Sequence, residues 1–223
     1  MIHPTAVIVA TALAAGALHA FGPDHLAAVS VFVSQRPSRR RAMALGARWG
    51  AGHSLSLLLL GGVVTLSDVH LPERFGPLAE RMVGVVLIAL GMVGVMRALR
   101  IHGHWHAHGD SAHWHLHSHR KRTTHEHDHH ALFGIGMLHG LAGTGAVVVL
   151  VPVATLHAPA TALLFLVVFG LGTIASMAVL SALAGTVVHA AAQRSPSAHR
   201  VLAMGAAVAS IAVGFWWVAV GGA

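Results

Sequence analysis

The sequence predicts an all-α polytopic membrane protein: six transmembrane helices in a 3+3 inverted repeat, both termini outside, the first helix broken. Three observations predict it. Of the 223 residues, 55% are apolar and only 9% are charged, against about a quarter charged in an ordinary soluble domain. A mean hydropathy of +0.70 describes more apolar surface than a soluble chain of this length can bury. Six apolar segments reach the ~20 residues that a bilayer demands, and the cations lie mostly in the connections between them.

The segments run over 5–33, 42–66, 80–99, 132–156, 160–189 and 200–220. The first and fifth are long for simple spans, which predicts tilt or a break. The connection 34–41, SQRPSRRR, carries four Arg; 100–131 carries Arg100, Arg120, Lys121 and Arg122; 190–199 carries Arg194, with Arg200 next. The connection 67–79 holds Asp68, Glu73 and Arg74, and 157–159 holds no Lys or Arg. Because Lys and Arg accumulate on the cytoplasmic side, the first, third and fifth connections read as cytoplasmic and both termini as outside. Only Arg74 and Arg81 fall on the outer side. The net charge of +7 therefore reports topology, not a nucleic-acid partner. The N-terminus lacks the basic n-region of a secretory signal peptide.

The halves match at one offset. LHAFGPDHLAAV at 18–29 aligns with LHGLAGTGAVVV at 138–149, and WGAGHSLS at 49–56 with FGLGTIAS at 169–176. His19 falls on His139, Gly50 on Gly170, Gly52 on Gly172 and Ser56 on Ser176, each 120 residues on. The corresponding segments cross in opposite directions, so the repeat is inverted. Residues 1–100 form the first three-helix unit, 101–131 a loop and 132–223 the second unit. In such repeats the substrate site lies near the midplane at broken helices. Similarity among small, apolar membrane residues is the competing explanation of the matches.

The stretch GALHAFGPDHLAAV, 16–29, points to that site. An ionisable residue in a span is costly and marks function by default, and Asp24 is the one acid that falls well inside a segment. Pro23 has no N–H for the His19 carbonyl, and Gly22 lets the chain turn. On an unbroken helix His19 and His25 would sit about 240° apart at 3.6 residues per turn. A break at Gly22-Pro23 would gather His19, Asp24 and His25 around one cavity. Imidazole suits Ni, Co, Cu and Zn, and a carboxylate compensates charge. The alternative is a set of packed polar residues hydrogen-bonded between helices. His53, beside Gly50 and Gly52, is open between ligand and packing residue. His139 follows from its repeat partner His19, as a residue lining the path or a transient second site. His3, in MIH, would complete a square-planar amino-terminal site for Ni²⁺ or Cu²⁺; an incidental His before Pro4 is the other reading.

Residues 102–130 hold twelve of the 21 His. With few apolar residues the loop should be disordered without metal, and its spaced imidazoles read as a cytoplasmic metal buffer or receiver. There is no Cys, which excludes thiol redox chemistry and disulfides. A P-loop is also absent, so a gradient or a partner protein must drive any transport. THEHDHH, 124–130, fits poorly the fixed HxxxH or HxxHH boxes that membrane metalloenzymes need at helix ends, and the chain reads as a non-enzyme with no catalytic cofactor.

HAFGPDH, 19–25, fits the H-x4-D-H motif of the nickel/cobalt transporter family NiCoT, and GHS at 52–54 resembles that family's second signature. GMLHGLAGTGA, 136–146, is similar to a segment of the urease-accessory, UreH-type membrane proteins. The resemblance covers about a third of the chain. It implies transport of Ni²⁺ or Co²⁺, with His19, Asp24, His25 and His53 at the family's selectivity positions. Six predicted helices stand where NiCoT proteins have eight, and Pro23 stands where an acidic residue is common. Three functions follow in order: an uptake transporter of the inner or plasma membrane; an efflux transporter, since NicO-related six-helix exporters also carry a His-rich loop; and a non-transporting membrane metalloenzyme or metallochaperone. Zn²⁺ and Cu²⁺ are alternative cargoes. The partners expected are the lipid bilayer and a divalent ion, with a second copy of the chain or a metallochaperone as further candidates. Neutral imidazoles and an ionised Asp24 bind the ion, so acid should weaken binding.

Overall fold

The computed structural model describes residues 4–34, 38–67, 72, 74–99, 101–108, 111–118, 127–142 and 158–221. Its helices are α1 (Pro4–His19), α2 (Pro23–Val33), α3 (Arg39–Ser67), α4 (Phe75–Leu99), α5 (His127–Ala142), α6 (Pro159–Arg194) and α7 (Pro196–Val220). Among the described residues α3, α4, α6 and α7 are each long and apolar enough to cross a bilayer, and α1 with α2, bent by 59° at the break, passes the same test only as a pair, whether as one broken span or as a re-entrant loop. The chain is thus a multi-pass membrane protein. Of the predicted segment 132–156, α5 supplies the start; 143–157 lies outside the described residues, as does His3. At 1.5 Å per residue the 36 residues of α6 extend about 54 Å, longer than the bilayer's hydrocarbon core.

The expected break falls between α1 and α2. Pro23 opens α2, where a missing N–H costs nothing. The His19 carbonyl has no helical partner at Pro23 and takes a nearer donor: the Gly22 N–H donates to it at 3.0 Å, and Phe21 N–H to Leu18 at 3.0 Å. A tight turn replaces the lost helical bond.

Parts of the predicted loop 101–131 are described, and they carry regular backbone structure. Backbone Ile101–His108 (β1) pairs antiparallel with Ser111–Ser118 (β2), and α5 already begins at His127. The register sets His102 opposite His117, His104 opposite His115 and His106 opposite His113. Histidine at every second position is a period-two pattern, which a strand satisfies and which composition alone does not reveal.

Glycines set the helix spacing. A Cβ on Gly16 (α1) would land on the Phe169 carbonyl (α6), and one on Gly136 (α5) on the Trp49 carbonyl (α3). Likewise Gly172 faces the Leu13 carbonyl and Gly52 the Phe133 carbonyl, while Gly50 lies against Ile174 and Gly170 against Ser54. Each contact has a counterpart shifted by 120 residues. Such backbone contact is how small residues bind helices where lipid removes the hydrophobic drive. Between α4 and α7 the contact is reciprocal, Gly84 on the Gly214 carbonyl and Gly214 on that of Gly84. Thr173 donates across the same α1–α6 seam to the Gly16 carbonyl (3.1 Å), and within α6 to that of Phe169 (3.0 Å).

The lower end of α2 is fixed by buried His199 of α7, whose Nε2–H donates to the Ser34 carbonyl at 2.6 Å. His199→Phe should leave that carbonyl unpaired and cost about 1–3 kcal/mol. A lowered Tm in detergent, with metal binding retained, is the expected result.

Candidate metal centre

Five of the six predicted ligands converge. The turn after α1 points His19, its last residue, back toward Asp24 and His25 in the first turn of α2. His53 comes from the middle of α3 and His139 from the last turn of α5. These two helices meet closely because a Cβ on Gly140 would strike the His53 carbonyl and the Ser56 hydroxyl. His19 is partly exposed, whereas Asp24, His25, His53 and His139 are buried.

His19 Nε2 and His53 Nε2 lie 3.1 Å apart. Without an ion, one of these nitrogens must carry the proton that the other accepts. With imidazole nitrogens about 2.0–2.1 Å from Zn²⁺, two ligands on one ion also stand roughly 3 Å apart, so this spacing suits chelation. Asp24 uses both oxygens: His25 Nδ1–H donates to Oδ1 at 3.0 Å and His139 Nε2–H to Oδ2 at 3.0 Å. His25 is central, its ring centroid 4.5 Å from His19, 4.9 Å from His53 and 4.9 Å from His139, all edge-to-face. Two triads have the spacing to hold a metal ion: His19, His25 and His53, and Asp24, His25 and His139. Among the described residues His25 Nε2, His53 Nδ1 and His139 Nδ1 are buried with no hydrogen-bond partner. An unpaired buried nitrogen is expensive, and a coordinated ion is one way of satisfying it.

Two aromatic side chains that are not among the residues expected from the sequence close the centre. Trp49 lies against His139 (5.2 Å) and His25 (5.6 Å), and Phe169 against His19 (5.4 Å). The signal was available: Trp49 and Phe169 align in the 120-residue repeat. Below Trp49 a small cavity is bounded by Phe32, Leu45 and Ser181. Trp49 Nε1 and Ser181 Oγ have no hydrogen-bond partner among the described residues.

Comparison with known proteins agrees with a membrane-embedded architecture. The family model described as the cytochrome c biogenesis protein transmembrane region matches residues 8–216. The urease accessory protein UreH of Bacillus sp. (strain TB-90) is 30% identical over 170 residues, 76% of this chain and 72% of that protein. Two Arabidopsis thaliana proteins, chloroplast proteins FOR GROWTH AND FERTILITY 2 and 1, are each 27% identical over 92% of this chain. The chain spans just over half of their lengths, 54% and 56%. No solved structure matches.

Proposed function

We propose that this chain, which belongs to the family of the cytochrome c biogenesis protein transmembrane region, is a transporter of a divalent transition-metal ion, Ni²⁺ or Co²⁺, working inward across the cell membrane. One observation carries this reading: four imidazoles and one carboxylate meet at a broken helix in a multi-pass chain. Buried ionisable groups of that kind line ion paths, and discontinuous helices frame substrate sites in transporters. The absence of Cys removes thiol exchange as an activity of this chain. A relative named as a urease accessory protein supports nickel as cargo.

The proposed architecture is six spans in a 3+3 inverted repeat, with both termini outside. Glycine contacts that recur at the 120-residue offset support the repeat, and the distribution of Arg supports the orientation. His19, being partly exposed, receives the ion; His25, His53, Asp24 and His139 carry it onward. His3, outside the described residues, is proposed as an outer capture ligand, and the histidines of 102–130 as the cytoplasmic receiver. A second reading, efflux, is favoured by that histidine-rich segment alone, because it would load ions from the cytoplasm.

The test is metal flux in vesicles of known orientation with a chelating dye inside. Inward-directed Ni²⁺ or Co²⁺ flux is the expected result. Flux in the outward direction alone would make the chain an exporter. Binding with no flux in either direction would sink transport and leave a metallochaperone.

A further inference from the structure

We infer that the metal centre is two stations in series which share His25 and are occupied by one ion at a time. The inference rests on the transport reading above and adds the order of events within the site. The first station is His19, His25 and His53; the second is Asp24, His25 and His139.

His25 Nδ1 is engaged with Asp24 Oδ1 at 3.0 Å, and His25 Nε2 is buried without a hydrogen-bond partner among the described residues. The Nδ1–H tautomer therefore leaves the Nε2 lone pair uncommitted, on a ring whose centroid is 4.5 Å from that of His19 and 4.9 Å from that of His53, which themselves stand 3.1 Å apart. An ion held there by three nitrogens has His25 braced from behind by a carboxylate, the arrangement that commonly orients a metal-bound imidazole. In this state Asp24 is a positioning residue and touches no metal. It holds His25 with one oxygen and His139 with the other.

The second station uses the same groups differently. Asp24, His25 Nδ1 and His139 Nε2 already lie at hydrogen-bond distances, so an ion replacing the shared protons would meet one oxygen and two nitrogens. A neutral imidazole offers a single lone pair, so His25 serves one station at a time. When the ion passes from Nε2 to Nδ1, one proton leaves Nδ1 and one is taken up at Nε2, with no net change on the ring. The His139 Nε2 proton must likewise move, and His139 Nδ1, which has no partner among the described residues, is free to take one up. The difference in exposure gives the order: His19 is partly open, and every member of the second station is buried.

Cobalt tests this, because ligand-field absorption reports its coordination. Full-length protein in detergent would be titrated with Co²⁺ as wild type, His25→Ala, His53→Ala and His139→Ala. The loop histidines contribute equally to all four and cancel when the His25→Ala spectrum is subtracted. Two stations predict that His53→Ala and His139→Ala each keep a cobalt signal absent from His25→Ala, with different band shapes. Both should nonetheless lose at least tenfold in Co²⁺ flux after reconstitution. Wild-type flux in His139→Ala would make His139 a packing residue and overturn the inference. Loss of the whole signal in His139→Ala, matching His25→Ala, would also overturn it, in favour of one larger centre. If an alanine variant fails to fold, His139→Gln, whose amide still donates to Asp24, provides the same comparison. Absence of wild-type flux would defeat transport, while the spectra would still decide between one station and two.

Discussion

Asp24→Asn is expected to reduce metal flux at least hundredfold while leaving the helices formed. The carboxylate accepts one hydrogen bond from His25 and one from His139, and an amide offers one acceptor and one donor in the same space. One imidazole N–H would then face an amide N–H. Loss of a supporting carboxylate by itself costs about 10–100-fold in metal affinity. The variant also removes the negative charge of a residue that is 3% exposed, where a dication has little water to compensate it. Initial rates of Ni²⁺ and Co²⁺ flux in vesicles, with circular dichroism as the folding control, measure the effect. Asn-variant flux within tenfold of wild type would remove Asp24 from the proposed mechanism. Asp24→Glu keeps the charge but shifts it by one methylene, and should fall between the two.

Gly16→Val is the second large effect, and it acts through packing. A Cβ at this position would sit on the Phe169 carbonyl, which belongs to backbone and cannot swing away. The α1–α6 seam must open, and the Thr173–Gly16 bond that crosses it must stretch. Overpacking of this kind costs about 1–3 kcal/mol, and Gly16→Val should lie at the upper end of that range. His19 ends the same helix, so its 3.1 Å approach to His53 should be lost too, and flux with it. Gly205→Ala is the control. Nothing lies within 4 Å of a Cβ there, and helix propensity alone predicts a gain of about 0.5–1 kcal/mol. Thermal unfolding in one detergent compares the two; equal Tm values for Gly16→Val and wild type would refute the packing account.

Part of the site could be read from the chain because the residues lie close in sequence. His19, Asp24 and His25 fall within seven positions, and Gly22-Pro23 between them announces the turn that brings them together. His53 and His139 are far away in sequence, and what unites them with the others is the contact of Gly52 with Phe133 and of Gly140 with His53. Small residues beside each histidine hinted at close approach without saying to which helix. Asp24 was legible as an ionisable group in a span, but its use of both oxygens depends on where α5 places His139. The hairpin was missed because the composition of 101–118 says disorder while its period-two spacing says strand. Trp49 and Phe169 were missed because large apolar residues are ordinary in membrane helices, and only their contact with the imidazoles distinguishes them.

The break between α1 and α2 has an electrostatic consequence. Helix ends carry partial charges, about half a unit positive at the amino end and half negative at the carboxyl end. His19 closes α1, so a negative end faces the first triad. Asp24 lies in the opening turn of α2, so a positive end faces the second. A dication is thus attracted by the α1 terminus and repelled by the α2 terminus, with the Asp24 carboxylate and the last turn of α5, which carries His139, offsetting that repulsion. An ion path must bind strongly enough to load and weakly enough to release. By breaking the helix between α1 and α2, the chain brings two helix ends of opposite sign to its ligands, and Asp24 sets the balance between them.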